Sequence, residues 1–285
     1  MLSSGVGTAS SSGSIQLKTA NSGTEGSSGT IAFETGDGTI NSGGINIHTG
    51  DAVNTAGSLT FTVGSGGSGA GGNVTILGGN TITTSANDAA SGGAITISSG
   101  RGLLTSSGNL ALQTEDAGVA GVSGSISLVT GTSSDGATGA VRLQTGRATN
   151  GAGGTIDVRV GDGDTGIGGA VSINAGITSD ATGGSVVVQS GRGLSTSSGA
   201  ISLGSSNAGT AGISGSISIS SGTSSEGSSG SVSIVTGEAM TGSSGSVVIA
   251  VSTAGGGTGG GVHISSGESS FAAGGEVYIQ SGSSS

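Results

Sequence analysis

A beat of about fifteen residues runs through the chain from near its first residue to its last: a small residue, Val/Ile/Leu, any residue, Val/Ile/Leu, any residue, Ser/Thr, Gly, then about eight small or polar residues. The first apolar residue of each beat falls at Ile15, Ile31, Ile45, Leu59, Val74, Ile95, Leu110, Ile126, Val141, Ile156, Val171, Val186, Ile201, Ile217, Val232, Val247, Val262 and Val277. Each is followed two residues on by a second: Leu17, Phe33, Ile47, Phe61, Ile76, Ile97, Leu112, Leu128, Leu143, Val158, Ile173, Val188, Leu203, Ile219, Ile234, Ile249, Ile264 and Ile279. A period this short holds neither a helical pair nor a propeller blade, and it points to a solenoid with one coil per beat.

Within a beat the pattern alternates with period two, as a half-buried strand requires. In Val171-Ser172-Ile173-Asn174-Ala175 the first, third and fifth residues share one side, and Ser172 and Asn174 the other. The expectation is an all-β, single-domain parallel β-solenoid (a β-helix) over residues 1–285. It would be a thin two-layer coil of about eighteen levels spaced ~4.8 Å apart, on the order of 80 Å long. The eighteen aliphatic and aromatic pairs named above would form its core. Residues 80–91 read as a loop insertion.

Composition bears on whether such a chain orders at all. With 66 Gly, no Trp, one Tyr and three Phe, a disordered Gly/Ser tract is the alternative. Against it stand the β-branched residues in strict register and the absence of Pro, which a sheet ladder excludes. Glycine recurs at fixed phase, usually after an apolar pentad (Gly131, Gly146, Gly176) and before the next (Gly153-Gly154, Gly168-Gly169, Gly183-Gly184), marking corners. The intervening eight or so residues have the reach to return to the start of the strand, so that each coil is laid on the last.

A longer repeat sits above the beat. Arg101-Gly102-Leu103-Leu104-Thr105-Ser106-Ser107-Gly108 recurs 91 residues later as Arg192-Gly193-Leu194-Ser195-Thr196-Ser197-Ser198-Gly199. That offset is six beats. The first third of the chain fits this frame less well. Either an external partner reads the six-beat spacing or a six-coil block has been duplicated.

Chemistry is thin. The lack of Cys removes disulfides and thiolate sites. A net charge of −10 with six Lys+Arg argues against nucleic acid and anionic lipid as partners, and no apolar run is long enough to span a membrane. No signal peptide is legible at Met1-Leu2-Ser3-Ser4-Gly5, so the chain reads as a segment of a longer repeat protein or one whose signal has been removed. His48 and His263 are about fourteen beats apart, too far for a shared metal site or triad. Asp162-Gly163-Asp164 resembles a fragment of a calcium loop but is not repeated in adjacent beats, and Glu115-Asp116 is a lone acidic pair. Gly255-Gly256-Gly257-Thr258-Gly259-Gly260-Gly261 lacks the Lys-Ser/Thr of a phosphate loop. Thr60 and Thr62 form an outward Thr pair, but no regular Thr lattice of the ice-binding kind follows them on that face. Val63, Val160 and Val251 at the fifth position mark that position as core-facing. The one Asn-x-Ser/Thr sequon, Asn73-Val74-Thr75, lies within a strand.

Beats such as Ser214-Gly215-Ser216-Ile217-Ser218-Ile219-Ser220-Ser221-Gly222 resemble the Gly/Ser/Thr-rich short-coil repeats of extracellular fibre proteins. Those include cell-surface filaments of algae and other protists, bacterial adhesins and phage tail fibres. The resemblance implies a structural shaft outside the cell or at its surface, built by coil stacking and head-to-tail or lateral self-association. It implies no catalytic residues to carry over, and the residues themselves lead to the expectation of no cofactor and no metal. The partners expected are further copies of the chain and, secondly, glycans. The alternative is a non-catalytic binding solenoid, either ice-binding or carbohydrate-adhesive.

Overall fold

The computed structural model describes residues 1–8, 11–82 and 91–283. Most of the expected insertion at 80–91 lies outside them. The chain divides into two units, Met1–Leu143 and Gln144–Ser285. The division falls inside the pentad that begins at Val141.

The expectation of a β-solenoid or β-helix is overturned. Among the described residues there is no helix and no strand; the chain is irregular, punctuated by one turn at Thr24 and Glu25 and by bends. Those bends keep the beat. In the second unit they fall at residues 149–151, 164–167, 179–181, 194–196, 210–212, 225–227, 240–242, 255–257 and 270–272. Each begins eight residues after the first apolar residue of its beat. The exception is the sixteen-residue beat of Ile201, where the bend at 210–212 begins one residue later. Gly136 (φ 111°) and Asn150 (φ 58°) sit at such bends in left-handed backbone, where glycine and asparagine are the residues that fit.

Why no ladder forms is visible in where each loop closes. A solenoid needs the return segment to reach the start of the preceding pentad, so that the next pentad is laid alongside it. Here the return reaches the end of that pentad instead. The methyl of Thr130 lies against Gly139, that of Thr145 against Gly154, and that of Thr236 against Gly245. All the backbone–backbone hydrogen bonds among the described residues close a loop in the same place. They join Gly13 N to Gly5 O, Gly93 N to Gly79 O, Gly108 N to Gly100 O, Gly184 N to Gly176 O, Gly199 N to Gly191 O and Gly275 N to Gly267 O. None joins two successive pentads. With its neighbour displaced, a pentad keeps its N–H and C=O groups in water, and the periodic ladder that would mark a strand has no partner.

Period-two alternation survives without the ladder. Residues two and four of a pentad share a side and touch: Asn174 Nδ2 donates to Ser172 Oγ at 2.8 Å, Tyr278 OH donates to Gln280 Oε1 at 2.6 Å, and Arg159 Nη2 pairs with Asp157 Oδ2 at 2.7 Å. The pentads are therefore locally extended as their sequences imply.

The apolar pairs expected as core are exposed. First-position residues run from 44 % exposure at Ile31 to 64 % at Val74, and third-position residues from 58 % at Ile47 to 86 % at Ile279. No described residue, apolar or polar, is buried. The chain exposes 28000 Å², against roughly 10,500 Å² for a compact chain of this mass.

Candidate functional site

The recurring structural device is the loop closure, and the fifth residue of each pentad limits which kinds of closure can form. That residue packs over the glycine that precedes the next pentad, usually nine residues on. In the sixteen-residue beats the separation is ten, as for Thr114–Gly124 and Ser205–Gly215. The extra residue is thus taken up inside the loop and the contact is preserved.

Three kinds of closure follow from the size and polarity of the fifth residue. Where it is Ser, Ala or Gly, the main chains can come within hydrogen-bonding reach. This is the case at Gly78, Ser99, Ala175, Ser190 and Ser266, each followed by one of the glycine-to-glycine bonds of 2.8–3.0 Å, whereas Ser205 and Ser221 are followed by none; the Gly13-to-Gly5 bond lies before the first pentad. Where it is Thr, the branched side chain holds the chains apart and its hydroxyl can take over. Thr19, Thr35 and Thr114 donate to the carbonyls of Gly29, Gly43 and Gly124 at 3.2, 3.3 and 3.3 Å. Where it is Val, no polar closure is possible. The Cγ1 of Val63 and of Val160 would lie 2.6 Å from a Cβ at Gly72 and Gly169, and that of Val251 3.0 Å from one at Gly260. Only glycine fits beneath those valines.

These classes recur every six beats. Val63, Val160 and Val251 belong to the beats of Leu59, Ile156 and Val247, each six beats apart. Each is followed by a backbone-closed beat, and the two beats after Val63 and after Val160 are both closed in this way. The closures therefore carry the six-beat order into the first third of the chain, where sequence identity alone does not display it. The signal was available in the sequence at the fifth position, but reading that position as core-facing hid it.

The ionisable residues that could carry chemistry stay apart. His48 and His263 are both exposed, the latter folding its ring back over Gly261. Asp157 is engaged with Arg159, while Asp162 and Asp164 lie exposed in the following loop. No cluster of three His, Cys, Asp or Glu residues able to hold a metal occurs among the described residues. One open cleft of about 660 Å³ lies within the loop closed by Gly267 and Gly275, lined by Ile264, Ser266, Glu268, Ser269 and Val277 among others. Glu268 is its one ionisable lining group, so it holds no acid–base pair. No helix among the described residues is long and apolar enough to cross a membrane.

No protein-family model matches the chain, and no curated protein or solved structure matches it either.

Proposed function

We propose that the chain is a structural protein, without catalysis, that self-associates to form the shaft of an extracellular filament or fibre. The observation that supports this reading most is the row of regularly spaced aliphatic pairs left uncovered in the single chain. Exposed apolar surface on this scale calls for a cover. A cover that meets a repeat of about fifteen residues along the whole chain must carry the same repeat, and another copy does so by construction. The resemblance of the beats to fibre-protein repeats, and the separation of the few ionisable side chains, support the same reading. Coil-on-coil stacking within one chain plays no part in it; association between copies does the covering.

Negative-stain electron microscopy, paired with sedimentation across a concentration series, tests the proposal. Unbranched fibres that lengthen with concentration are expected. Dispersed monomers at all concentrations would contradict it.

A further inference from the structure

The six backbone-closed loops share a second property. Each carries a large apolar side chain projecting into solvent: Val6, Ile82, Leu103 with Leu104, Ile177, Leu194 and Phe271. Ile177 is 100 % exposed, Leu194 86 % and Phe271 102 %. Apolar residues also occur in other loops, such as Val119 and Ile167, but those loops have no backbone closure.

The loops that hold these side chains are well braced. In the loop from Gly191 to Gly199, the closing bond is 2.9 Å. A Cβ at Gly193 would press on the carbonyls of Thr196 and Ser197. The equivalent Gly102 is packed alike, with a Cβ there 2.5 Å from Ser106 O. The Arg-Gly-Leu corner thus folds back on its own carbonyls in both copies of the six-beat repeat, and glycine is required for it. In the loop of Phe271, Ser269 Oγ accepts from Ala272 N at 3.0 Å and Phe271 N at 3.4 Å, fixing the base of the projecting ring.

Charge distinguishes the members of each pair of successive closed loops. The loop of Ile177 holds one charged residue, Asp180, and the next loop, that of Leu194, holds one, Arg192. The earlier pair repeats the order in sequence, with Asp88 (outside the described residues) and then Arg101. Arg101 and Arg192 are two of only six basic residues in the chain. Asp180 and Arg192 are both exposed, and the single ion pair among the described residues lies elsewhere, between Asp157 and Arg159.

An apolar tip beside an acid, followed by an apolar tip beside a base, is a self-complementary surface. Under a two-fold axis the acidic loop of one copy meets the basic loop of the other, and the reverse contact forms at the same time. We infer that successive backbone-closed loops are the docking surface for a second copy of this chain. The loop of Ile177 and Asp180 lies against the partner copy's equivalent of the loop of Leu194 and Arg192. This rests on the self-association proposed above and names its contacts. Net charge disfavours an anionic membrane as occupant, and the charge matching is already supplied by the chain itself. One such contact buries a few apolar side chains, on the order of 400 Å² per copy, about half of what a stable interface takes. A contact of this size is weak singly and gains strength where a chain makes more than one.

The test is sedimentation velocity on the full chain from about 1 to 200 µM, with Asp180→Arg and Arg192→Asp as separate variants. Each alone places like charges opposite each other at both reciprocal contacts and should weaken association roughly tenfold. An equimolar mixture of the two variants restores both contacts and should return association to the wild-type level, which no contact within one chain can do. Asp135→Arg and Arg147→Asp make the same changes in net charge in loops without backbone closure and should leave association unchanged. Leu194→Asp should weaken it as much as Arg192→Asp, and wild-type circular dichroism in all variants excludes a folding effect. The inference is overturned if the wild type stays monomeric over this range, if the mixture associates no better than its components, or if the two control variants weaken it equally. Reciprocal pairing without fibres in the microscope would instead sink the filament reading and leave the docking surface standing.

Discussion

The loops from Gly161 to Gly169 and from Gly191 to Gly199 are the same length, lie in the same unit and follow pentads of the same pattern, yet they close differently. The first is preceded by Val160, whose Cγ1 occupies the space over Gly169, and no backbone bond closes it. The second is preceded by Ser190, and Gly199 N reaches Gly191 O at 2.9 Å. One side chain separates a loop held by van der Waals contact alone from one held by its main chain. A small fifth residue permits main-chain closure and a valine forbids it, while Ser205 and Ser221, packed on Gly215 and Gly230 without a backbone bond, show that a small residue there is not sufficient.

The comparison can be broken most severely at Gly193. Alanine there would meet the Thr196 and Ser197 carbonyls, and overpacking of this kind costs about 1–3 kcal/mol. Gly193→Ala should abolish closure of its loop, read as loss of amide protection at Gly199 by hydrogen-exchange NMR. Exchanging the fifth residues comes next. Ser190→Val should remove the Gly199 bond and Val160→Ser should create a Gly169-to-Gly161 bond, each shifting local opening by ~1 kcal/mol. The Gly199 and Gly169 amides should move in opposite directions, about fivefold each. A smaller effect is expected at the third closure type. Thr114→Val keeps the bulk but loses the hydroxyl bond to Gly124 O, for about 0.5–1 kcal/mol locally, whereas Thr114→Ser retains a donor. Faster exchange in the loop of Thr114→Val but not of Thr114→Ser would confirm that the hydroxyl, not the methyl, closes it. The smallest change is expected for Asp157→Asn. The Asp157–Arg159 pair is 54 % and 82 % exposed, so solvent screening leaves it worth no more than ~0.5 kcal/mol, and 0.5 M salt should erase even that.

Much of the local order could be read from residue types alone. Alternation predicts that Asp157 faces Arg159 and Ser172 faces Asn174, and both pairs form. The glycines mark the loop ends, as the contacts of Gly139 and Gly154 show. The register between beats could not be read in this way. A fifteen-residue apolar period is the same whether each return meets the start of the preceding pentad or its end. Only the first of these lays Val171 beside Val186 as a ladder. The role of the fifth residue escapes a reading by residue type for a related reason. Thr130, Val160 and Ser190 look interchangeable in a core-facing row, but against a glycine main chain their differences in branching and polarity decide which bond can form. The acidic and basic loops were hidden because Asp180 and Arg192 become a pair only when a second chain is considered.

The central claim is that an isolated chain leaves its pentads unpaired and that other copies cover them. Amide hydrogen exchange followed by mass spectrometry, at about 1 µM and again at about 200 µM, tests it directly. The account predicts near-unprotected exchange across pentads such as residues 171–175 and 217–221 in the dilute sample, with protection appearing only as copies associate. Strong protection of those pentads that is the same at both concentrations would mean that each chain ladders on itself, and would contradict it.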